Sequence, residues 1–123
     1  MKVLVVEDDN AVRKEIVDYF THKNFEVVEA DSGESGLKTI EDHTDLSLVL
    51  TDFNMGAMSG LDMIEAALKS NCAKDIEFVV LTTNKTPEDR ARSKSLGVRF
   101  WKIKPFVAQD FDHFLQWFTT KSA

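Results

Sequence analysis

Leu48-Val49-Leu50-Thr51-Asp52 is an apolar run that stops on a carboxylate, and two other stretches share its build: Val3-Leu4-Val5-Val6 before Glu7-Asp8-Asp9, and Phe78-Val79-Val80-Leu81 before Thr82-Thr83. Short, nearly unbroken runs rich in β-branched residues suit strands buried on both faces, as in a parallel sheet covered by helices. Phe25 to Ala30 and Arg99 to Ile103 mix charge into the run, as edge strands do.

The segments between these runs have helical spacing. Val12, Ile16, Tyr19 and Phe20 share a face, as do Leu61, Ile64 and Leu68, and Phe111, Phe114, Leu115 and Phe118. Asp31 and Glu34 predict a capping box for the helix that carries Leu37 and Ile40. Thr86-Pro87-Glu88 supplies a cap, a proline at the first helical position and an acid. The helix it opens, Pro87 to Ser95, offers only Ala91 as an apolar anchor and is expected to dock least firmly. Five strands thus alternate with five helices. The expected architecture is α/β, a doubly wound (βα)5 flavodoxin-like fold with a five-stranded parallel sheet in the order 2-1-3-4-5 and right-handed crossovers. That order centres the three most hydrophobic runs.

Composition narrows the function. The chain has 123 residues, 43% hydrophobic and 29% charged, which suits one globular domain over residues 1–123. No Pro/Gly/Ser-rich linker, repeat or attached output domain is expected. The net charge is -6 with no long basic run, which argues against a nucleic-acid partner. Apolar runs are far too short to span a membrane. Met1-Lys2 leads directly into the first strand, so no signal peptide is expected. Cys72 is the single cysteine, which rules out an internal disulfide and suits a reducing cytoplasm. His22, His43 and Cys72 lack ligand spacing and read as bystanders.

In open parallel α/β sheets the site lies beyond the carboxyl ends of the strands. Those ends carry Glu7-Asp8-Asp9, Asp52, Thr82-Thr83 and Lys104, and Asp9 reads as a helix cap. The strand order sets the acids of strands one and three side by side. Like charges about 4 Å apart repel by roughly 1–4 kcal/mol at effective dielectrics between water and a protein surface. A hard divalent cation such as Mg²⁺ (or Mn²⁺) would offset that, using carboxylates and a substrate phosphate as ligands. It would also screen Asp52 as an anionic nucleophile approaching a phosphoryl group. Lys104, Thr82 and the Thr83 amide come from the strand ends that would surround the transferring oxygens.

Val-Val-Glu7-Asp8-Asp9, Thr51-Asp52-Phe53-Asn54-Met55, Leu81-Thr82-Thr83 and Lys104-Pro105-Phe106 resemble, in order and spacing, the marker motifs of response regulator receiver domains of two-component systems. Among them, the chain looks most like the single-domain chemotaxis receivers. The resemblance implies Asp52 as phosphoacceptor, Asp8 and Asp52 as metal ligands with the Asn54 backbone carbonyl, and Glu7 holding metal-bound water. It implies that Lys104 pairs with phosphoryl oxygens and that Thr82 bonds to one after modification. Trp101 falls at the rotating aromatic switch, Lys104-Pro105 at a cis peptide, and Asn54 and Asn84 at positions that tune autodephosphorylation. Thr83 replaces a commoner Ala or Gly and is expected to narrow access to Asp52. Gly56 replaces the usual proline, which predicts a looser acceptor loop, and Ser59 stands where an acid or Asn commonly precedes Gly60.

The implied partners are a histidine kinase or phosphotransfer protein upstream and a protein target downstream. The target would read the face made by the fourth helix, fifth strand and fifth helix of a cytoplasmic monomer. The chain would not be an enzyme in its own right, although it would assist its own phosphorylation and dephosphorylation. Three other readings are weaker. A receiver fold acting without phosphorylation is disfavoured because the key side chains are present. A metal-dependent phosphohydrolase of the haloacid-dehalogenase kind needs a second Asp at position 54, where Asn stands. A flavodoxin-like cofactor binder needs a Ser/Thr/Gly phosphate loop where acids follow the first strand.

Overall fold

The computed structural model describes residues 1–83 and 86–121. Strands and helices alternate as β1 (Lys2–Val6), α1 (Asn10–His22), β2 (Glu26–Ala30), α2 (Gly33–Asp42), β3 (Leu48–Asp52), α3 (Gly60–Lys69), β4 (Glu77–Thr82), α4 (Pro87–Ser95), β5 (Phe100–Ile103) and α5 (Ala108–Lys121). The strands form one sheet in the order β2-β1-β3-β4-β5, every pair parallel.

Strand side chains alternate between faces, and the two faces build two cores. Val3, Val5, Leu48, Leu50, Val79 and Leu81 meet Ile16 and Phe20 of α1 and Phe111, Phe114, Leu115 and Phe118 of α5. Leu4, Val6, Val49, Phe78 and Val80 meet Ile40 of α2 and Leu61, Met63, Ile64 and Ala67 of α3. This two-sided burial explains why the central runs lack polar interruptions. Phe111 is fully buried and touches the rings of Phe20, Phe100 and Phe106. Phe111→Ala would cost about 3–5 kcal/mol, more than any single surface change.

Helix starts follow from local chemistry, with three departures from expectation. Asp9 caps α1 by accepting from the Val12 amide at 2.9 Å, and Thr86 caps α4 by accepting from Asp89 at 3.1 Å. The box that opens α2, however, is Ser32 with Ser35, not Asp31 with Glu34. On α3 Ala67 is buried in the last turn, and Leu68 faces solvent. On α4 the buried residue is Ser93, whose hydroxyl donates to the Arg90 carbonyl, while Ala91 is exposed. A helix reading Pro-Glu-Asp-Arg-Ala-Arg-Ser-Lys-Ser has no apolar stripe to fix its rotation, so polar contacts set it. Arg92 donates to Asp62 at 2.8 Å and reaches Glu65 at 3.5 Å, tying α4 to α3.

Candidate functional site

Register converges the strand ends. Val6 pairs with Thr51 and Asp52 with Leu81, while Thr82 pairs with Ile103. The next backbone bonds carry the alignment past the strands: the Phe53 amide donates to Leu81 and the Lys104 amide to Thr82, both at 2.8 Å. Glu7, Asp52, Thr82 and Lys104 therefore share one end of the sheet.

Glu7 and Asp52 are buried, 1% and 4% exposed, and Asp8 is exposed. One carboxylate oxygen from each lies within 4.8 Å of the others. Lys104 Nζ bridges two of them, 2.9 Å from Glu7 Oε1 and 3.2 Å from Asp52 Oδ1. The other Glu7 oxygen accepts from the Asp9 amide at 3.2 Å.

Burial pushes the Asp52 carboxyl above the usual range, and the charge of Asp8 adds to this. The Lys104 ammonium and the Asn54 backbone amide pull the other way without winning. Glu7 is likewise raised by burial despite its bond to Lys104. Lys104 is lowered by burial alone, but the Glu7 bond and the Asp52 charge outweigh that and hold its pKa up. Three carboxylates against one ammonium leave the site under-neutralised. Its donors are hard oxygens with no sulfur or imidazole, a set that fits Mg²⁺ or Mn²⁺ rather than a soft metal.

The remaining candidates are placed as follows. Thr82 is buried at the end of β4, Thr83 is exposed beyond it, and Asn54 is exposed in the loop after Asp52. Asn84 lies outside the described residues. Lys104-Pro105 is cis. Trp101 is half-buried on β5, with its ring edge-on to Phe53 at 5.8 Å. Its indole nitrogen is buried without a hydrogen-bond partner among the described residues. Trp101 thus touches the residue that follows the acceptor candidate. His43 bonds Lys2 at 3.0 Å and lines, with Cys72, a cleft at the opposite end of the sheet.

Two contributions were missed in the sequence. Ser59, noted only as a departure, caps α3 in a reciprocal box with Asp62. A Cβ on Gly60 would fall against the Asp52 carbonyl and the Thr51 side chain, while the Gly60 amide donates to the Phe53 carbonyl at 2.9 Å. The signal was available: Ser-Gly-Leu-Asp at 59–62 places a capping hydroxyl three residues before an acid. Gly56 has φ +81°, a conformation closed to proline, so this loop takes a different turn and is not merely a freer version of the usual one.

The sequence profile described as Response regulator receiver domain matches residues 3–116. Chemotaxis protein CheY1 of Helicobacter pylori is 30% identical over 110 residues, covering 89% of each chain. The solved structure of Vibrio cholerae chemotaxis protein CheY4 superposes with a TM-score of 0.84 at 27% identity, covering 94% of this chain and 95% of that one. The N-terminal domain of a Wolinella succinogenes protein gives a TM-score of 0.89 at 25% identity, covering 99% and 96%.

Proposed function

The chain belongs to the response regulator receiver domain family, and from that premise we propose that Asp52 takes a phosphoryl group from a histidine kinase or phosphotransfer protein in a Mg²⁺-dependent reaction. Receivers are phosphoacceptor signalling proteins of two-component systems rather than conventional enzymes. The observation that carries the reading is the Lys104 ammonium bridging buried Glu7 and Asp52 beside Asp8.

Asp8, Asp52 and the Asn54 carbonyl would hold the metal, with Glu7 orienting its water. When bound, the metal supplies positive charge that lets a carboxylate approach a phosphate. An Asp52 oxygen forms the new P–O bond as the P–N bond of the donor breaks, and that bond's electron pair stays on the imidazole. Lys104 shifts from the carboxylates toward a phosphoryl oxygen, and the Thr82 hydroxyl donates to another. Asn54 and Asn84 tune later attack by water, and Thr83 limits its access.

The readout runs through Trp101. Its edge contact with Phe53 and its buried indole nitrogen, without a hydrogen-bond partner among the described residues, support a side chain that changes place when Thr82 is recruited. The surface read by a target is that of α4, β5 and α5, where Arg90, Lys94, Ile103 and Trp117 face solvent. A helix docked by ion pairs rather than apolar burial suits a two-state element. In this reading the domain works as a cytoplasmic monomer in chemotaxis or another two-component pathway. No described helix is long and apolar enough to cross a membrane.

Intact mass after incubation with Mg²⁺ and acetyl phosphate tests the reading. Wild type should gain one phosphoryl group and Asp52→Asn none. Equal gain by both, or none by wild type, would remove Asp52 from the role.

A further inference from the structure

Arg13, in the first turn of α1, makes three hydrogen bonds from one guanidinium. NH1 donates to the Glu7 backbone carbonyl at 2.8 Å, Nε to Glu29 Oε1 at 3.0 Å and NH2 to Asn10 Oδ1 at 2.7 Å. The fork joins the end of β1, the edge strand β2 and the start of α1. Its side chain is 18% exposed, so these bonds are partly shielded from water.

Asp8 itself lies in exposed loop, and its position follows from its neighbours. Before it, the Glu7 carbonyl is held by Arg13 and the Glu7 amide by the Ala30 carbonyl at 3.0 Å. After it, Asp9 is fixed by its amide on the Glu7 carboxylate and its side chain on the Val12 amide. Of these restraints, only Arg13 comes from a side chain outside the acidic triplet. A planar guanidinium matches this three-point geometry, and an ammonium cannot reproduce it.

We propose that Arg13 is a positioning residue for divalent-metal binding: by clamping the Glu7 carbonyl it holds the Asp8 carboxylate at the distance from Asp52 that a metal requires. This inference rests on the metal site proposed above. Groups that orient metal ligands from behind typically matter about 10–100-fold in metal affinity. A competing electrostatic expectation has the opposite sign, because deleting a cation near an acidic cluster favours an incoming cation.

Calorimetric titration with Mg²⁺ separates the two, on wild type, Arg13→Ala, Arg13→Lys and Glu29→Gln, with circular dichroism to check the fold. Arg13→Ala should bind Mg²⁺ about tenfold more weakly or worse. Arg13→Lys, which keeps the charge but not the fork, should also fall below wild type, and Glu29→Gln should lose less than either. Raising Mg²⁺ to saturation should restore the rate of phosphorylation by acetyl phosphate, locating the defect in metal binding. Unchanged or tighter binding by folded Arg13→Ala overturns the proposal; if that variant does not fold, wild-type affinity in Arg13→Lys overturns it. Wild type that binds no Mg²⁺ sinks the metal site itself and this inference with it. Binding by wild type that Arg13 variants match sinks the positioning role alone.

Discussion

Asp62 on α3 and Arg92 on α4 meet in a 2.8 Å ion pair, and the other oxygen of the same carboxylate accepts from the Ser59 amide at 3.2 Å. One side chain therefore closes the acceptor loop and tethers the most polar helix of the fold. Because α4 buries little apolar surface, this pair is a large share of what orients it. Arg92→Ala should lower global stability by only a few tenths to about 1 kcal/mol, since both groups are partly exposed. Its larger effect should be local, as faster amide hydrogen exchange confined to α4. Exchange that stays at the wild-type rate across residues 87–95 would contradict the tether.

The same pair fixes a pH dependence. Asp62 is held below the ordinary aspartate value of 3.8, chiefly by the Arg92 hydrogen bond, with burial opposing and the Ser59 bonds assisting. A carboxylate with a lowered folded pKa contributes stability that is complete above its unfolded pKa and disappears as pH falls through the folded one. The stability gap between wild type and Arg92→Ala should be constant near neutrality and close as the pH drops below about 3.8. Denaturant unfolding across that range measures it, and a gap that persists at the acid end would refute the assignment.

Asp52 works in the other direction. Burial raises its pKa, so ionising it costs more in the fold than in the unfolded chain. Stability is lost as pH rises through the window from the unfolded to the folded pKa, and the loss is complete above the folded one. Asp52→Asn in the presence of EDTA should therefore be more stable, by on the order of 1 kcal/mol, or about 4 °C in Tm. Mg²⁺ should raise the Tm of wild type and leave that of Asp52→Asn nearly unmoved. A destabilised Asp52→Asn would mean that its ion pair with Lys104 outweighs the cost of burial.

At Gly56 the left-handed φ of +81° makes restoring the family's proline harmful. Proline fixes φ near -65°, so Gly56→Pro must rebuild the turn and should cost more than about 1 kcal/mol. Gly56→Ala has open space for its Cβ and should cost only the backbone strain. Thermal unfolding of the two variants decides, and a Gly56→Pro protein more stable than wild type would show that the turn is not required.

Trp101 and Trp117 separate spectroscopically because one is half-buried against Phe53 and the other is 40% exposed beneath the Arg99 guanidinium. In Trp117→Phe, Mg²⁺ should quench the remaining Trp101 emission weakly and saturably. A flat titration, with binding seen by calorimetry, would show that Trp101 does not sense the site.

The central strands were legible because burial on both faces leaves Val, Leu and Phe in unbroken runs, and their register then fixed which ends face one another. Lys104, Asp52 and Glu7 could be assigned to one pocket on that basis alone. Helix phase was less legible where chemistry is local. Asp31 and Ser32 both have capping side chains, and the choice depended on the Ser35 hydroxyl, one residue out of the expected frame. On α4, Ala91 looked like an anchor because it is apolar, yet with no neighbouring apolar residue it has no reason to turn inward. Arg13 was invisible because the partner that ties it to the site is the Glu7 backbone carbonyl, which carries no side-chain signature.

Lys104 is already engaged in the resting structure, at 2.9 Å from Glu7 and 3.2 Å from Asp52. An incoming phosphate would therefore compete for a cation already in use, and the proposed modification would be an exchange of ion pairs rather than the filling of an empty seat. On the proposed reading, Lys104 would have to leave two carboxylates to meet a phosphoryl oxygen, so its resting ion pairs set a cost that phosphorylation would have to offset.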